Sequence, residues 1–383
     1  MKKIFLLIIL ISLWACSNTN DDASNDDTSD DMSDDSSGDD GNSGLTIDFD
    51  VAIMSRDNNF NYYQIEIDNG TNLQPVEQFL QGVNDNSAFS RRLEKNTYFV
   101  YSPFNLPDFI VGTHNILSGA DNTYVNFIDP GLPKMAHDIF PGEDHIVTFY
   151  SELNGNNELD EYFNLYTIAS GNYEQVLISS DNLSGIQNTQ NGWLTTSFIN
   201  DQAELYLRIF NLNNTAQQYT VGPVNEYLPF TQVNGKIYMF GNNKYRIFDL
   251  NTGVWGNDIT TAESIRANTS FSSKIIGNKM YYEALNVQPN GFVSAPAIYN
   301  FNTGTNRGFD LGQLKLDWWA ASGNQILEVG AMAIKADDEI LVLALSYRNA
   351  NNVDKFGVLF TSYDLEVVSF LEIPHLPLAL VIK

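Results

Sequence analysis

Short runs of β-branched and aromatic residues recur along residues 45–383, separated by turns rich in Asn, Gly and Asp. The clearest pair lies at 235–255. There Gly-Lys-Ile-Tyr-Met-Phe-Gly and Tyr-Arg-Ile-Phe-Asp-Leu are joined by Asn-Asn-Lys and followed by Asn-Thr-Gly. Apolar runs of strand length bounded by turn residues predict antiparallel strands linked as hairpins.

The second of these runs is repeated elsewhere in the chain. Residues 247–253 read Ile-Phe-Asp-Leu-Asn-Thr-Gly and residues 298–304 read Ile-Tyr-Asn-Phe-Asn-Thr-Gly, with a third copy at 209–215 that lacks the glycine. Weaker copies place the turn position of the whole series at residues 70, 119, 171, 215, 253, 304 and 368. A period of this length indicates a repeat architecture.

Each repeat holds two hairpin-linked strand pairs, enough for a four-stranded sheet that cannot bury both faces alone but can do so by radial stacking. The pattern therefore predicts an all-β fold, a β-propeller of seven four-stranded blades. A pair of β-sandwiches and a β-solenoid are the alternatives, and the uneven spacing argues against the solenoid. Little sequence precedes Val51, so residues 377–382 are expected to supply the innermost strand of the first blade and close the ring. The only helix candidate is Val76–Leu80, which would otherwise be an outer strand.

The first 16 residues resemble the signal of a bacterial lipoprotein. Lys2 and Lys3 precede an apolar run that is too short to span a hydrocarbon core of ~30 Å. The run ends in Leu-Trp-Ala-Cys at 13–16, which resembles the lipobox, although Trp14 is bulkier than usual there. The resemblance implies that Cys16, the only cysteine of the chain, is lipidated. A plain signal peptide with an incidental cysteine is the alternative.

The segment that follows is almost entirely Ser, Asn, Thr, Gly and Asp, with ten Asp and no Lys or Arg in residues 17–44. Such a composition predicts a disordered, extended tether. An acidic stretch after a lipobox cysteine resembles the surface-export signal of Bacteroidota lipoproteins, and a calcium-collecting tail is the alternative. The expected organisation is a signal peptide at 1–15, a lipidated cysteine and tether at 16–44, and the propeller at 45–383.

The charge balance excludes a whole class of partners. The chain has 20 Lys and Arg against 47 Asp and Glu, a formal net charge of −27. Without the two Lys and ten Asp of residues 1–44, the predicted propeller still carries −19. Nucleic-acid binding needs a basic surface and is not expected. A single cysteine also excludes a disulfide framework.

Residue patterns typical of enzymes are scarce. The four His residues lie in four different settings, and no nucleophile-elbow, Walker or Rossmann pattern is present. Because propeller glycosidases use dispersed carboxylates that no spacing reveals, a carbohydrate-active enzyme stays open. Oxygen-bearing side chains alternate at residues 152–160, an arrangement that would suit Ca²⁺, with a solvated hairpin tip as the alternative. No other cofactor is predicted.

The scarce cations indicate where a ligand would bind. Arg56, Lys244 and Arg348 all fall between the second and third strands of their predicted blades, at the mouth that also carries the links between blades. The longest link carries Trp318 and Trp319, which on a strand would point opposite ways, one into the core and one outward. These five residues form the predicted ligand site. The alternatives are that the cations pair with nearby acids and that both Trp pack between blades.

The chain resembles the propeller lipoproteins of the Bacteroidota surface, including the group that binds siderophores beside an outer-membrane transporter. The resemblance rests on the lipobox, the acidic tether and the repeat. It implies a non-enzymatic, lipid-anchored protein of the outer membrane that captures a ferric siderophore-like complex or a glycan beside a TonB-dependent transporter. A cationic site with aromatic neighbours suits an anionic aromatic ligand, or a sugar stacked on a Trp. A carbohydrate-active enzyme and a protein-interaction or adhesion module are the alternatives.

The lipobox gives the first testable prediction. A Cys16→Ser chain should lose fatty-acid labelling and leave the membrane fraction, because several acyl chains on one residue provide the anchoring free energy. The measurement is metabolic labelling with a fatty acid, followed by fractionation. Continued labelling and membrane sedimentation of the variant would contradict the lipobox.

Overall fold

The computed structural model describes most of the predicted propeller and none of residues 1–45. The described residues are 46–80, 92–94, 98–101, 110–125, 134–141, 144–156, 158–179, 182–188, 192–224, 226–227, 229–268, 273–285 and 294–383. Cys16 and the acidic tether lie outside them.

The described residues contain thirty strands and one helix. The first strands in chain order are β1 Val51–Arg56, β2 Tyr62–Asp68, β3 Asn72–Leu73, β4 Glu77–Leu80, β5 Arg92–Glu94, β6 Tyr98–Tyr101, β7 Ile110–Asn115, β8 Ala120–Val125, β9 Lys134–Pro141, β10 His145–Leu153, β11 Leu159–Thr167 and β12 Asn172–Ser179. The next are β13 Asn182–Asn188, β14 Trp193–Ile199, β15 Leu205–Asn211, β16 Asn214–Val221, β17 Phe230–Val233, β18 Lys236–Gly241, β19 Lys244–Asp249, β20 Val254–Trp255 and β21 Ile259–Thr260. The last are β22 Ser273–Ile276, β23 Lys279–Leu285, β24 Ser294–Asn300, β25 Thr305–Gly308, α1 Leu311–Ser322, β26 Gln325–Lys335, β27 Ile340–Arg348, β28 Asp354–Ser362, β29 Val367–Ile373 and β30 Leu376–Ile382.

These strands form seven antiparallel sheets. Sheet 1 pairs in the order β30-β1-β2-β3, with β4 as a second outer segment on β2. Sheets 2, 3 and 4 are β5 to β8, β9 to β12 and β13 to β16. Sheet 5 is β17 to β20 with β21 also on β19, and sheets 6 and 7 are β22 to β25 and β26 to β29.

Each sheet packs against the next one in the chain, and sheet 7 packs against sheet 1. Apolar side chains from both sheets fill the junctions 1–2, 3–4, 4–5, 5–6, 6–7 and 7–1, while β5 and β6 contact β9 at the junction of sheets 2 and 3. Because the central strands are covered on both sides, β1 is buried continuously from Val51 to Ser55. Four-stranded sheets packed in a closed circuit define a β-propeller. The predicted fold class is confirmed.

β30 is the innermost strand of sheet 1. It pairs with β1 from Val51 opposite Ile382 to Arg56 opposite Leu376, with one register shift after Met54. Leu380 is buried in the core that sheets 7 and 1 share, and β30 also contacts β26 and β27. The prediction that this strand closes the ring is confirmed, and β1 has no unpaired edge.

The turns between third and fourth strands follow one design in sheets 2, 5 and 6. At Asn115–Gly119, Asp249–Gly253 and Asn300–Gly304 the first side chain accepts hydrogen bonds from the N–H groups two and three residues on. The glycine donates its N–H to the carbonyl of that first residue and has φ between 67° and 69°. Glycine adopts this left-handed conformation at little cost, which explains the glycine of the repeated Asn-Thr-Gly sequence. In sheet 7 the turn lies at Ser362–Glu366, before the expected position 368, and Leu365 takes the left-handed conformation at φ 67°.

The hairpins between second and third strands share a different design in sheets 1, 3, 4 and 7. They are Asp57–Asn61, Asn154–Glu158, Asn200–Glu204 and Asn349–Val353. In each, the first side chain accepts hydrogen bonds of 2.8–3.0 Å from the third and fifth N–H groups. The first N–H also donates to the fifth carbonyl. Asn and Asp side chains readily accept hydrogen bonds from the backbone of turns. Their abundance therefore gives the hairpins a defined shape.

The helix α1 links sheet 6 to sheet 7. Asp310 caps its start by accepting from the N–H groups of Gly312 and Gln313, and Gly323 ends it at φ 71°. The strand expected for the Trp pair in this link is therefore wrong. Val76–Leu80 is not a helix either, because residues 77–80 form β4. Within the described ranges, no helix has both the length and the apolarity to cross a bilayer.

Two turn glycines with the same backbone conformation should differ in tolerance to substitution. A Cβ on Gly304 (φ 67°) would lie 2.8 Å from the nitrogen of Ala262, whereas a Cβ on Gly119 (φ 69°) would have no atom of the described residues within 4 Å. Gly119→Ala should cost only the left-handed penalty of about 1–2 kcal/mol. Gly304→Ala should cost clearly more, measured by urea unfolding. Equal losses for the two variants would contradict the close approach at Gly304.

Candidate ligand-binding face

The antiparallel topology gives the ring two unlike faces. The hairpins between second and third strands and the links between sheets lie at one end of every sheet, called here the hairpin face. The turns between third and fourth strands lie at the other end, the turn face. Arg56 ends β1, Lys244 begins β19 and Arg348 ends β27, so all three predicted cations lie at the hairpin face, on sheets 1, 5 and 7.

Each of these cations contacts a neighbouring side chain. Arg348 donates from Nε to Oδ1 of Asp354 at 2.7 Å, and this carboxylate raises the pKa of the guanidinium. The guanidinium of Arg56 lies 4.9 Å from the ring centre of Phe60. Pairing of cations with nearby acids, the alternative raised from the sequence, holds for Arg348 and also for Lys244.

The two tryptophans have different environments. Trp318 is 5% exposed and packs against the rings of Tyr347 and Phe370, with centroid distances of 5.5 and 5.1 Å. Trp319 is 51% exposed. Consecutive side chains of a helix point about 100° apart. The helix therefore directs the two tryptophans to different sides, as the predicted strand would also have done. Trp318 belongs to the core, and Trp319 is available to a ligand.

A second group of aromatic and charged side chains lies along sheet 5, from Lys244 at its hairpin-face end to Trp255, which pairs with Phe248 nearer the turn face. Tyr227 comes from the link between sheets 4 and 5, Lys244 and Arg246 from β19, and Trp255 from β20. Asp258 lies in the break between β20 and β21, the two outer segments that pair with β19. Together with Glu226, beside Tyr227, these residues form the Tyr227 cluster.

Asp258 organises the cluster through both of its oxygens. Oδ1 accepts from Nε of Arg246 at 2.6 Å, and Oδ2 accepts from the hydroxyl of Tyr227 at 2.6 Å. The hydrogen bond from Tyr227, followed by that from Arg246, holds the pKa of Asp258 below its ordinary value. The carboxylate is therefore ionised at neutral pH.

Both cations of the cluster lie over aromatic rings. Nζ of Lys244 is 4.4 Å from the ring centre of Tyr227 and donates to Glu226 at 3.1 Å. The hydrogen bonds from Lys244 to Tyr227 and to Glu226 raise the pKa of its ammonium group. The guanidinium of Arg246 lies 4.9 Å from Tyr227 and 5.5 Å from Trp255. Cation–π contacts of this kind hold the guanidinium in place.

The cluster offers hydrogen-bond donors to a ligand. Its two cations and two carboxylates balance in formal charge. Arg246 is 33% exposed, and across the described ranges its contacts are the Nε bond to Asp258 and the two rings, so its terminal amino groups have no protein acceptor there. A guanidinium carries five N–H donors in a fixed fork. The group can bind an anionic or hydroxylated ligand beside an aromatic surface.

Of the residues in this cluster, the sequence pattern predicts Lys244 alone. One signal was present, because Arg246 lies two residues from Lys244 on a strand and therefore on the same side. Tyr227 and Asp258 reach the cluster from a link and a strand break, which no spacing rule reveals.

A cavity of about 680 Å³ lies on the turn face, where sheets 7 and 1 meet. Its lining contains five Asp, two Lys, Phe49 and Asn69: Asp48, Phe49, Asp50, Asp68, Asn69, Lys335, Asp337, Asp338 and Lys383. Both lysines also have contacts with other side chains, Lys335 with the ring of Phe49 and Lys383 with Glu66. The cavity is thus on the face opposite the predicted ligand site.

In the suggested calcium hairpin, Asn154 and Asp160 already make hydrogen bonds within the hairpin. Oδ1 of Asn154 accepts from the backbone of residues 156 and 158, and its amide nitrogen donates to Asp160. In the part of the chain that the structure describes, no three acidic, His or Cys side chains are placed to hold a metal ion. Calcium at this hairpin stays a prediction.

His114 packs between sheets 1 and 2. It is buried beneath Phe79, with a centroid distance of 3.8 Å, and its two ring nitrogens lie against Asp121 and Gln64. These contacts join sheets 1 and 2.

Comparisons with known proteins identify similar structures only. No family model matches the chain, and no curated protein matches it. The WD40 domain of SCAP from fission yeast aligns over 86% of this chain and 89% of its own, at 9% identity and a TM-score of 0.42. The β-propeller domain of the Trilobed protease from Pyrococcus furiosus aligns over 85% of this chain and 94% of its own, at 8% identity and a TM-score of 0.48. These similarities carry no information about ligand or activity.

The hydrogen bond between Tyr227 and Asp258 can be tested by titration. Tyr227→Phe removes the donor that lowers the pKa of Asp258 most, so this pKa should rise toward its ordinary value of 3.8. Carboxyl-carbon NMR titration measures it, with Tyr173→Phe, at an exposed ring of β12, as the control. Because the pKa of Asp258 is lower in the folded protein than its ordinary value of 3.8, the ionised carboxylate stabilises the fold at pH values above 3.8. This contribution is lost as the pH falls through the folded-state pKa. The stability difference between wild type and Asp258→Asn should therefore shrink in acid. An unchanged Asp258 titration in Tyr227→Phe would contradict the assignment.

Proposed function

We propose that this protein is a non-enzymatic, lipid-anchored surface protein that captures a small ligand at the hairpin face of its propeller. The Tyr227 cluster is the observation that carries the proposal. It combines donors without protein acceptors among the described residues, an exposed carboxylate and two aromatic rings. Such a combination of apolar surface and a few placed polar groups is typical of ligand sites.

The construction of the hairpin face supports binding. The hairpins of sheets 1, 3, 4 and 7 are capped by their own Asn and Asp side chains, so they form defined loops on a rigid scaffold of sheets. Loops held in this way are where proteins usually place recognition residues. Trp319 adds an exposed ring on the same face, at the link between sheets 6 and 7.

The N-terminal segment supports a location at the cell surface. A lipid chain on Cys16 would hold the protein at the outer membrane, and the acidic tether would keep the propeller clear of it. In this setting the captured ligand passes to an outer-membrane transporter of the TonB-dependent type. The transporter partnership rests on the lipoprotein resemblance.

The ligand class is a ferric siderophore-like complex or a glycan. The balanced charge of the Tyr227 cluster and the net −19 of residues 45–383 favour the glycan, because a multiply charged anion is repelled by the field of the whole domain.

The proposal is tested with a ligand panel on purified protein lacking residues 1–44. Isothermal titration with ferric siderophores and with neutral and acidic oligosaccharides should give at least one ligand with a Kd on the order of micromolar. Ala variants of Arg56, Lys244, Arg348 and Trp319 are compared with Tyr173→Ala, which removes an exposed ring at the turn-face end of β12. At least one hairpin-face variant should weaken binding while Tyr173→Ala does not.

Three results would contradict the proposal. The first is that no member of the panel binds, and the second is that all four hairpin-face variants bind like wild type. The third is recovery of a chemically altered ligand, which would identify an enzyme.

A further inference from the structure

We propose that Arg246, with Tyr227 and Trp255, forms a subsite for a saccharide ring that bears a single carboxylate, as in a uronic acid. The inference rests on the proposed function and names the ligand class of that face.

The guanidinium of Arg246 is held by Asp258, but its terminal N–H donors have no acceptor among the described residues. Asp258 takes the Nε–H at 2.6 Å and thereby fixes the orientation of the guanidinium plane. The two terminal amino groups, with no acceptor across the described ranges, project from a side chain that is 33% exposed. Two parallel N–H donors match the two oxygens of a carboxylate, the geometry in which Arg binds this group most selectively.

The surroundings of the guanidinium suit a sugar ring. The ring centres of Tyr227 and Trp255 lie 4.9 and 5.5 Å from the guanidinium, and both side chains are partly exposed. The C–H face of a pyranose can pack on such rings. Glu226, 79% exposed, and the ammonium of Lys244 provide an acceptor and donors for hydroxyl groups.

The charge of the site limits the charge of the ligand. Within the cluster two cations face two carboxylates, so binding one carboxylate leaves a local charge of about −1. Each further negative charge on the ligand adds repulsion from the domain, over a screening length of about 8–10 Å at physiological salt. A ring with one carboxylate therefore fits better than a polyanion.

The test uses two ligands that differ at one carbon. 4-Methylumbelliferyl β-glucuronide and 4-methylumbelliferyl β-glucoside share the aglycone and the ring, and differ in carboxylate against hydroxymethyl at C6. Titration of wild type should show the glucuronide binding about tenfold more tightly, the lower end of what a charge-assisted hydrogen bond contributes. The preference should decrease as salt is raised.

Variants assign the preference to Arg246. Arg246→Gln should abolish it, and Arg246→Lys should retain part of it because the charge remains without the fork. Arg307→Gln is the matched control. Arg307 also lies beside two rings and an Asp, but its Nη2 already donates to the carbonyl of Tyr363 and to Asp364, so the preference should survive there.

The outcomes separate this subsite from the proposed function. Equal binding of both glycosides, binding of neither, or a preference that survives Arg246→Gln in a folded variant overturns the subsite. The ligand panel then decides the proposed function by itself. Release of fluorescent 4-methylumbelliferone together with an Arg246-dependent preference supports the subsite and overturns the non-enzymatic function.

Discussion

The structure depends on the pairing of β30 with β1. A four-stranded sheet that is apolar on both sides is stable only between two neighbours, so a row of such sheets must close. Without β30, β1 would be an unpaired edge strand, and the core between sheets 7 and 1 would lack Leu380. A fully buried Leu or Val contributes about 1.5–3 kcal/mol, so this one strand accounts for a substantial part of the stability of a marginally stable domain.

Closure also creates the two unlike faces on which function depends. On the turn face of sheets 2, 5 and 6, glycines in the left-handed conformation give short turns with little side-chain variety. On the hairpin face, Asn and Asp cap longer hairpins, and links between sheets add α1 and Tyr227. The Tyr227 cluster arises because a link, a central strand and a break in an outer strand meet along sheet 5. The rigid ring thus positions residues that are distant in sequence.

The sequence was sufficient for the fold because the repeat and the spare strand at 377–382 are local patterns with one global solution. It was insufficient for α1, since Leu-Asp-Trp-Trp suits a strand, although Asp310 and Gly323 are ordinary helix-capping residues. The site was predicted only in part. Lys244 lies where expected, while Arg246 acquires its role from Asp258 and Tyr227, whose approach depends on tertiary structure.

The measurement that tests ring closure most directly is native-state hydrogen exchange of the amides of β30. If β30 is the innermost strand of sheet 1, its hydrogen-bonded amides should exchange as slowly as those of β1 and β27, through global unfolding. The short outer strand β3, exposed at Asn72 and Leu73, provides the fast-exchanging reference. Rapid exchange throughout β30 while β1 stays protected would contradict the closure and with it the account of the fold.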